Sequence, residues 1–137
     1  MAETVQRVDY VYVIVPDAPG EGSRVLSVLE EDGVNLLASV AFPLGDGRSQ
    51  LDLVAEDVGA VRAALEGTGL TPSEVKQALL VQGDDRVGAV ADTTAKLGGA
   101  GINVTALAAV AAGSGRFGMI LWVDPTQVDD AAAALGA

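Results

Sequence analysis

The chain has 137 residues, half of them apolar and only 4% aromatic, with 19 acidic against 8 basic side chains and a net charge of −11. With no Lys/Arg cluster it carries no footprint for nucleic acid or anionic lipid, and the acidity serves solubility. With no cysteine and no histidine it has no disulfide, no thiolate nucleophile, no zinc site of the usual kind and not the commonest general base.

The elements follow in chain order. Residues 9–15 alternate Val, Tyr and Ile as a strand does, and Pro16 to Gly20 must turn. Residues 23–32 place Val25, Leu26, Val28 and Leu29 on one side of a helix, with Gly33 as its stop. Strands are expected over 34–42 and 49–55, a short helix over 58–65 and a short strand over 70–73. The pattern then restarts with a strand over 74–82. A helix over 87–97 carries Val87, Val90, Ala91, Thr94 and Leu97 on one stripe. Strands over 102–110 and 116–123 and a helix over 128–135 complete it.

The restart is a repeat. Asp17-Ala18-Pro19-Gly20 and Gly33-Val34-Asn35 return as Asp85-Arg86-Val87-Gly88 and Gly101-Ile102-Asn103, offset by 68 (85 less 17, 103 less 35). Gly45-Asp46-Gly47-Arg48 returns as Gly113-Ser114-Gly115-Arg116 at the same offset. The last helix, by contrast, is displaced by 70 (128 less 58). Each unit reads β-α-β-β-α, with or without a final strand. The expected fold is α+β: two ferredoxin-like (βαββαβ) modules in tandem, residues 1–70 and 71–137, with antiparallel sheets and helices on one face. The second unit ends without room for its own last strand. Residues 3–8 or a neighbouring chain could fill that edge.

Strands 9–15 and 119–123 are apolar on both alternating sides, and such strands are usually buried on both. A homodimer or larger assembly is therefore expected. Met1-Ala-Glu-Thr opens no leader sequence, and no apolar run approaches the ~20 residues of a membrane span, so a cytoplasmic protein is expected.

The Asp-x-x-Gly turn before the first helix and the Gly-Val/Ile-Asn step into the second strand, on this topology, resemble the ACT domain. The resemblance runs from about residue 8 to residue 135 as two modules, with Val87 standing where the turn usually has proline. It implies a stand-alone, non-enzymatic regulatory protein that binds an amino acid between modules and acts on a metabolic enzyme in trans. The implied ligand-binding positions are Asp17, Ala18, Pro19, Gly20 and Asn35, with Asp85, Arg86, Val87, Gly88 and Asn103. No cofactor or metal is implied.

The chemistry suits those positions. A helix start offers unpaired N–H groups and a positive dipole end to a carboxylate. Gly20 and Gly88 allow close approach, Asn35 and Asn103 offer donors and an acceptor, and Asp17 or Asp85 can pair with an ammonium. Each residue also has a structural reading: Asp before Pro as an N-cap, Gly as a helix stop, Asn as a turn cap. Glu21 would repel a carboxylate where the second unit has Ala89, and Arg86 adds a positive charge, so the second site is the stronger candidate.

Other signals are weaker. Gly113-Ser-Gly-Arg-Phe-Gly118 spells a dinucleotide fingerprint, but a strand follows it instead of a helix. No serine has a histidine partner, so a Ser-His-Asp triad is impossible. A ligand-free assembly module is the alternative reading, and a small ferredoxin-like enzyme a third.

Overall fold

The computed structural model describes residues 3–137; Met1 and Ala2, on which part of the expectation of no leader sequence rests, lie outside the described residues. The chain divides into two compact units, one of Asp9–Lys76 and one of Gln77–Ala137 with the first residues through Val8. All of the strand pairings described below are antiparallel.

The first unit contains most of β1 (Thr4–Pro16), then α1 (Glu21–Glu31), β2 (Ala38–Pro43), β3 (Arg48–Ala55) and α2 (Val58–Leu65). Its strand order is β2-β3-β1. Val11 opposes Leu53 and Val13 opposes Leu51, so one sheet face is continuous across the strands. That face meets Val25 and Leu29 of α1 and Val61, Ala64 and Leu65 of α2 in one buried cluster. Leu26, expected in the helix's apolar stripe, is 38% exposed, because Val25 and Leu29 one turn apart already fill the contact.

The second unit contains β4 (Lys76–Asp84), α3 (Ala89–Gly99), β5 (Val104–Gly113), β6 (Arg116–Val123), a turn of 3-10 helix (Pro125–Gln127) and α4 (Val128–Leu135). β4 lies between β1 and β6, and β5 flanks β6 on the outside. The start of β1 therefore fills the edge for which the second unit has no strand of its own. Val5 packs on this unit's core, and Arg7 pairs with Asp129 of α4. The core joins Leu79, Val81, Met119 and Leu121 of the sheet to Leu97 and Ala131 of the helices.

Three expectations need correction. Residues 70–73 form no strand. Gly67 and Gly69 turn with φ of +80° and +83°, and Ser73 alone serves β1. Its N–H donates to Tyr12 O and its Oγ accepts from Tyr12 N, both at 2.9 Å. The α3 stripe is displaced: Ala89, Thr93 and Leu97 are buried, at i, i+4 and i+8, while Val87 is fully exposed. The cause is Gly88, whose φ of +87° ends the turn and delays the helix by one residue past it. Strand β2 begins at Ala38, because residues 34–37 are irregular.

Of the strands expected to be buried on both sides, residues 9–15 alternate instead, with Val11, Val13 and Val15 buried and Tyr12 and Ile14 half-buried, and residues 119–123 are buried except for the half-buried Trp122. Leu51 to Ala55, Ala78 to Val81 and Met119 to Leu121 are closed to solvent within the single chain. The outer strands differ. Every residue of β5 after Val104 is exposed, Val110 to 65%, and Phe42 of β2 is 40% exposed. None of the described helices is long and apolar enough to cross a membrane.

Candidate functional site: the turns that start α1 and α3

The repeat governs backbone hydrogen bonding as well as sequence. Asp17 N–H donates to Gly47 O at 2.9 Å, and Asp85 N–H to Gly115 O at 2.8 Å. Glu21 N–H reaches Ala18 O and Ala89 N–H reaches Arg86 O, both at 3.3 Å. Each turn is thus tied to the β-hairpin of its own unit and closed by a glycine in the left-handed region, Gly20 and Gly88, both at φ +87°.

These glycines are the N-cap residues, and no side chain caps either helix. Asp17 and Asp85 are therefore not N-caps, as the structural reading had it. The first turns of α1 and α3 present their N–H groups without a side-chain acceptor, the arrangement that favours an anion. α2 shows the contrast: Asp57 caps it by accepting from Ala60 N–H at 3.2 Å.

The side chains on the two turns diverge. Asp17 Oδ1 accepts from Ser49 Oγ at 3.1 Å. Position 49 corresponds to Phe117 (117 less 68), which has nothing to donate, and the Asp85 carboxylate has no hydrogen-bond or ionic partner among the described residues. Arg86 folds back over its own turn. Its Nη2 donates to Asp92 Oδ2 at 2.6 Å, and a Cβ added at Gly88 would lie 3.8 Å from its Nη1. Both partners are about half exposed, so solvent weakens the pair and a ligand carboxylate can compete for the guanidinium.

Beside this turn lies an open cavity of about 360 Å³. Asp85, Arg86 and Gly88 form one side; Ala89 and Val90 of α3, Ala109 and Ala111 of β5, and Phe117 of β6 form another. Such a volume falls in the range of small-molecule sites, about 300–1,000 Å³. The spacing argument located the turn but missed β5 and Phe117. The register supplies the missing signal, because Ala111 opposes Phe117 and Asp84 opposes Arg116.

The asparagines stand apart from the turns of their own units. Asn35 follows the C-terminal end of α1, whose 11 residues span roughly 16 Å from Gly20. It lines a separate cavity of about 280 Å³ with Asp32, Glu56 and Asp57. Three carboxylates and no cation make that cavity a poor host for a ligand carboxylate. Gly33 and Gly101 end α1 and α3 as helix stops: Gly33 N–H donates to Glu30 O, Val34 N–H to Leu29 O, and the same pair recurs at Gly101 and Ile102. The Asn35 and Asn103 side chains make no hydrogen bond among the described residues.

The remaining signals resolve simply. Arg48 pairs with Asp46 and Arg116 with Asp84. The glycine-rich 113–118 segment is a hairpin leading into β6. No group of His, Cys, Asp and Glu among the described residues is placed to hold a metal. One carboxylate is unusual: Asp52, 4% exposed in β3, has a pKa raised by burial, against which a 2.9 Å bond from Gln50 Nε2 acts.

No protein-family model and no curated protein sequence matches the chain. Solved structures do resemble it. It superposes on a protein of Bacteroides thetaiotaomicron with a TM-score of 0.80 at 15% identity, over 96% of this chain and 88% of that one. The ligand-free regulatory subunit of aspartate kinase from Thermus thermophilus gives a TM-score of 0.68 at 18% identity, over 98% and 94%. That from Thermus flavus gives 0.66 at 19%, over 98% and 94%. At such identities the likeness is one of fold: a ferredoxin-type α+β arrangement.

Proposed function

We propose that the chain is a non-enzymatic sensor of an amino acid, built from two ACT modules in tandem and acting on a metabolic enzyme in trans. The observation that carries this reading is the cavity beside Asp85, Arg86 and Gly88, where an uncapped helix start adjoins a carboxylate that has no partner among the described residues. An α-amino acid carries the complementary pair. Its carboxylate would meet the first-turn N–H groups and Arg86, and its ammonium would meet Asp85. The equivalent set Asp17, Ala18, Pro19 and Gly20 offers the same backbone, but Ser49 engages its Asp and Glu21 stands in its first helical turn.

Closure of the site falls to a second copy. Strand β5 is an uncharged edge with unpaired backbone groups, and edges of that kind pair with another strand. A homodimer formed along it would bring Asn103 of a second copy, which directly precedes β5, toward this edge of the cavity. Binding would then favour one arrangement of modules over another, provided its affinity differs between them. The regulatory subunits that share the fold support a regulatory role, and the lack of histidine and cysteine supports a non-catalytic one.

A thermal shift against the twenty amino acids tests the reading. A ligand at 100 times its Kd adds about 2.7 kcal/mol of stability. No shift with any of them leaves the alternative, an assembly module, which the exposed β5 edge itself favours.

A further inference from the structure

We infer that the cavity beside α3 selects an amino acid with a small aliphatic side chain, an inference that rests on the sensor reading and specifies its ligand class. The cavity has two chemically distinct sides. Asp85 and Arg86 supply the only charged side chains of its lining, and the first turn of α3 supplies N–H groups that no side chain caps. The other lining side chains, Ala89 and Val90 of α3, Ala109 and Ala111 of β5 and Phe117 of β6, offer carbon alone.

The register explains why. Ala109 opposes Met119 and Ala111 opposes Phe117, so both alanines share the sheet face that carries Phe117 and the helix-side core. Phe117 itself is 5% exposed and cannot turn a polar group to the cavity. A ligand held at its ammonium and carboxylate by the polar side has its Cα substituent directed along this wall. A polar or charged substituent against these side chains would gain no side-chain partner there, whereas methyl and methylene groups gain by leaving water against Phe117 and the alanines.

The first unit gives an internal contrast. The positions equivalent to Phe117 and Ala89 are Ser49 and Glu21, both polar (117 less 68, 89 less 68). Ala109 and Ala111 correspond to Ala41 and Pro43, still apolar (109 less 68, 111 less 68), so the inferred selectivity comes from positions 89 and 117 and not from the turn that both units share.

The test is calorimetry on the full chain with glycine, alanine, 2-aminobutyrate, valine, leucine, threonine, aspartate and lysine. Affinity is expected to rise about fourfold per added methylene until the cavity is full. Valine is expected to bind ten- to a hundredfold tighter than its isostere threonine. Aspartate and lysine are expected to bind more weakly than alanine. The variant Ala109→Asp, at an exposed position of β5, should keep the parent melting curve and weaken leucine at least tenfold more than it weakens glycine. Equal affinity across the series, tighter binding of threonine, aspartate or lysine, or equal loss for glycine and leucine in Ala109→Asp overturns the aliphatic inference while the sensor reading stands. No binding by any of the eight overturns both.

Discussion

The turn at Asp17 and the turn at Asp85 share a backbone and differ in nearly every side chain around it. The same hydrogen bonds recur at an offset of 68, from Asp17 N to Gly47 O and from Asp85 N to Gly115 O. Yet Ser49 holds Asp17, while Phe117 has no donor to offer Asp85. Duplication has kept what fixes the main chain, the glycines at positive φ and the core leucines, and has released what a ligand would touch. The two units are therefore matched controls for each other.

The largest expected effect tests the shared scaffold. Leu53 and Leu121 are both fully buried, each at the middle of a central strand of its unit. Leu53→Ala and Leu121→Ala should each cost about 2–5 kcal/mol in urea denaturation. A cost far smaller in one unit would mean that its core collapses around the cavity and that the scaffolds are not equivalent.

The next prediction separates the two turns. Nothing lies within 4 Å of a Cβ added at Gly20, and only Arg86 Nη1 lies near one at Gly88, yet at φ +87° any side chain is strained. Gly20→Asp and Gly88→Asp should therefore lose about 1–2 kcal/mol of stability alike. Amino-acid binding should fall at least tenfold in Gly88→Asp, where the new carboxylate repels the ligand's own, and stay unchanged in Gly20→Asp. Calorimetry on both variants reads the difference.

A third contrast lies in the sheets. Asp52 corresponds to Ile120 (120 less 68), and both are buried. The Ile needs nothing; the Asp has a carboxylate whose charged form burial disfavours, with one amide, Gln50, in partial compensation. Its pKa is raised in the folded state, so the folded chain holds this proton to a higher pH than the unfolded chain does. The stability it contributes is present below the ordinary aspartate range and falls as pH rises through the raised value. Asp52→Asn should melt above the parent at pH 8, with the gap closing toward pH 4. A constant gap across that range would show that the charge is not what destabilises the parent.

Much of this was legible in the chain itself, for physical reasons. Helices α2 and α4 and strand β6 have bounds readable from residue pattern, because an N-cap Asp57, an αL Gly136 and the hairpin glycines mark them locally. The start of α3 was not, since Val87 looks like a helical stripe residue until Gly88 takes φ +87°. The turns were legible through their repetition. Phe117 and the alanines of β5 were not, because they reach the cavity through strand register, which pairs residues distant in the chain. The partner of β4 depends on the same long-range pairing.

The smallest effect concerns the arginines of the two helix starts. Arg24 pairs with Glu21 at 3.0 Å and Arg86 with Asp92 at 2.6 Å. All four side chains keep contact with water, so each pair is worth about 0–1 kcal/mol and weakens with salt. Arg24→Ala and Arg86→Ala should thus melt within a few degrees of the parent and of each other. Binding should distinguish them. Arg86 sits on the turn that lines the cavity, and its guanidinium can leave Asp92 for a ligand carboxylate at little cost. Arg24 lies within α1 and is held by a carboxylate of its own first turn. Arg86→Ala should weaken an amino acid several-fold and flatten the salt dependence of binding, with Arg24→Ala matching the parent. Equal behaviour of the two variants would assign the carboxylate to the helix N–H groups alone and leave Arg86 as a surface charge.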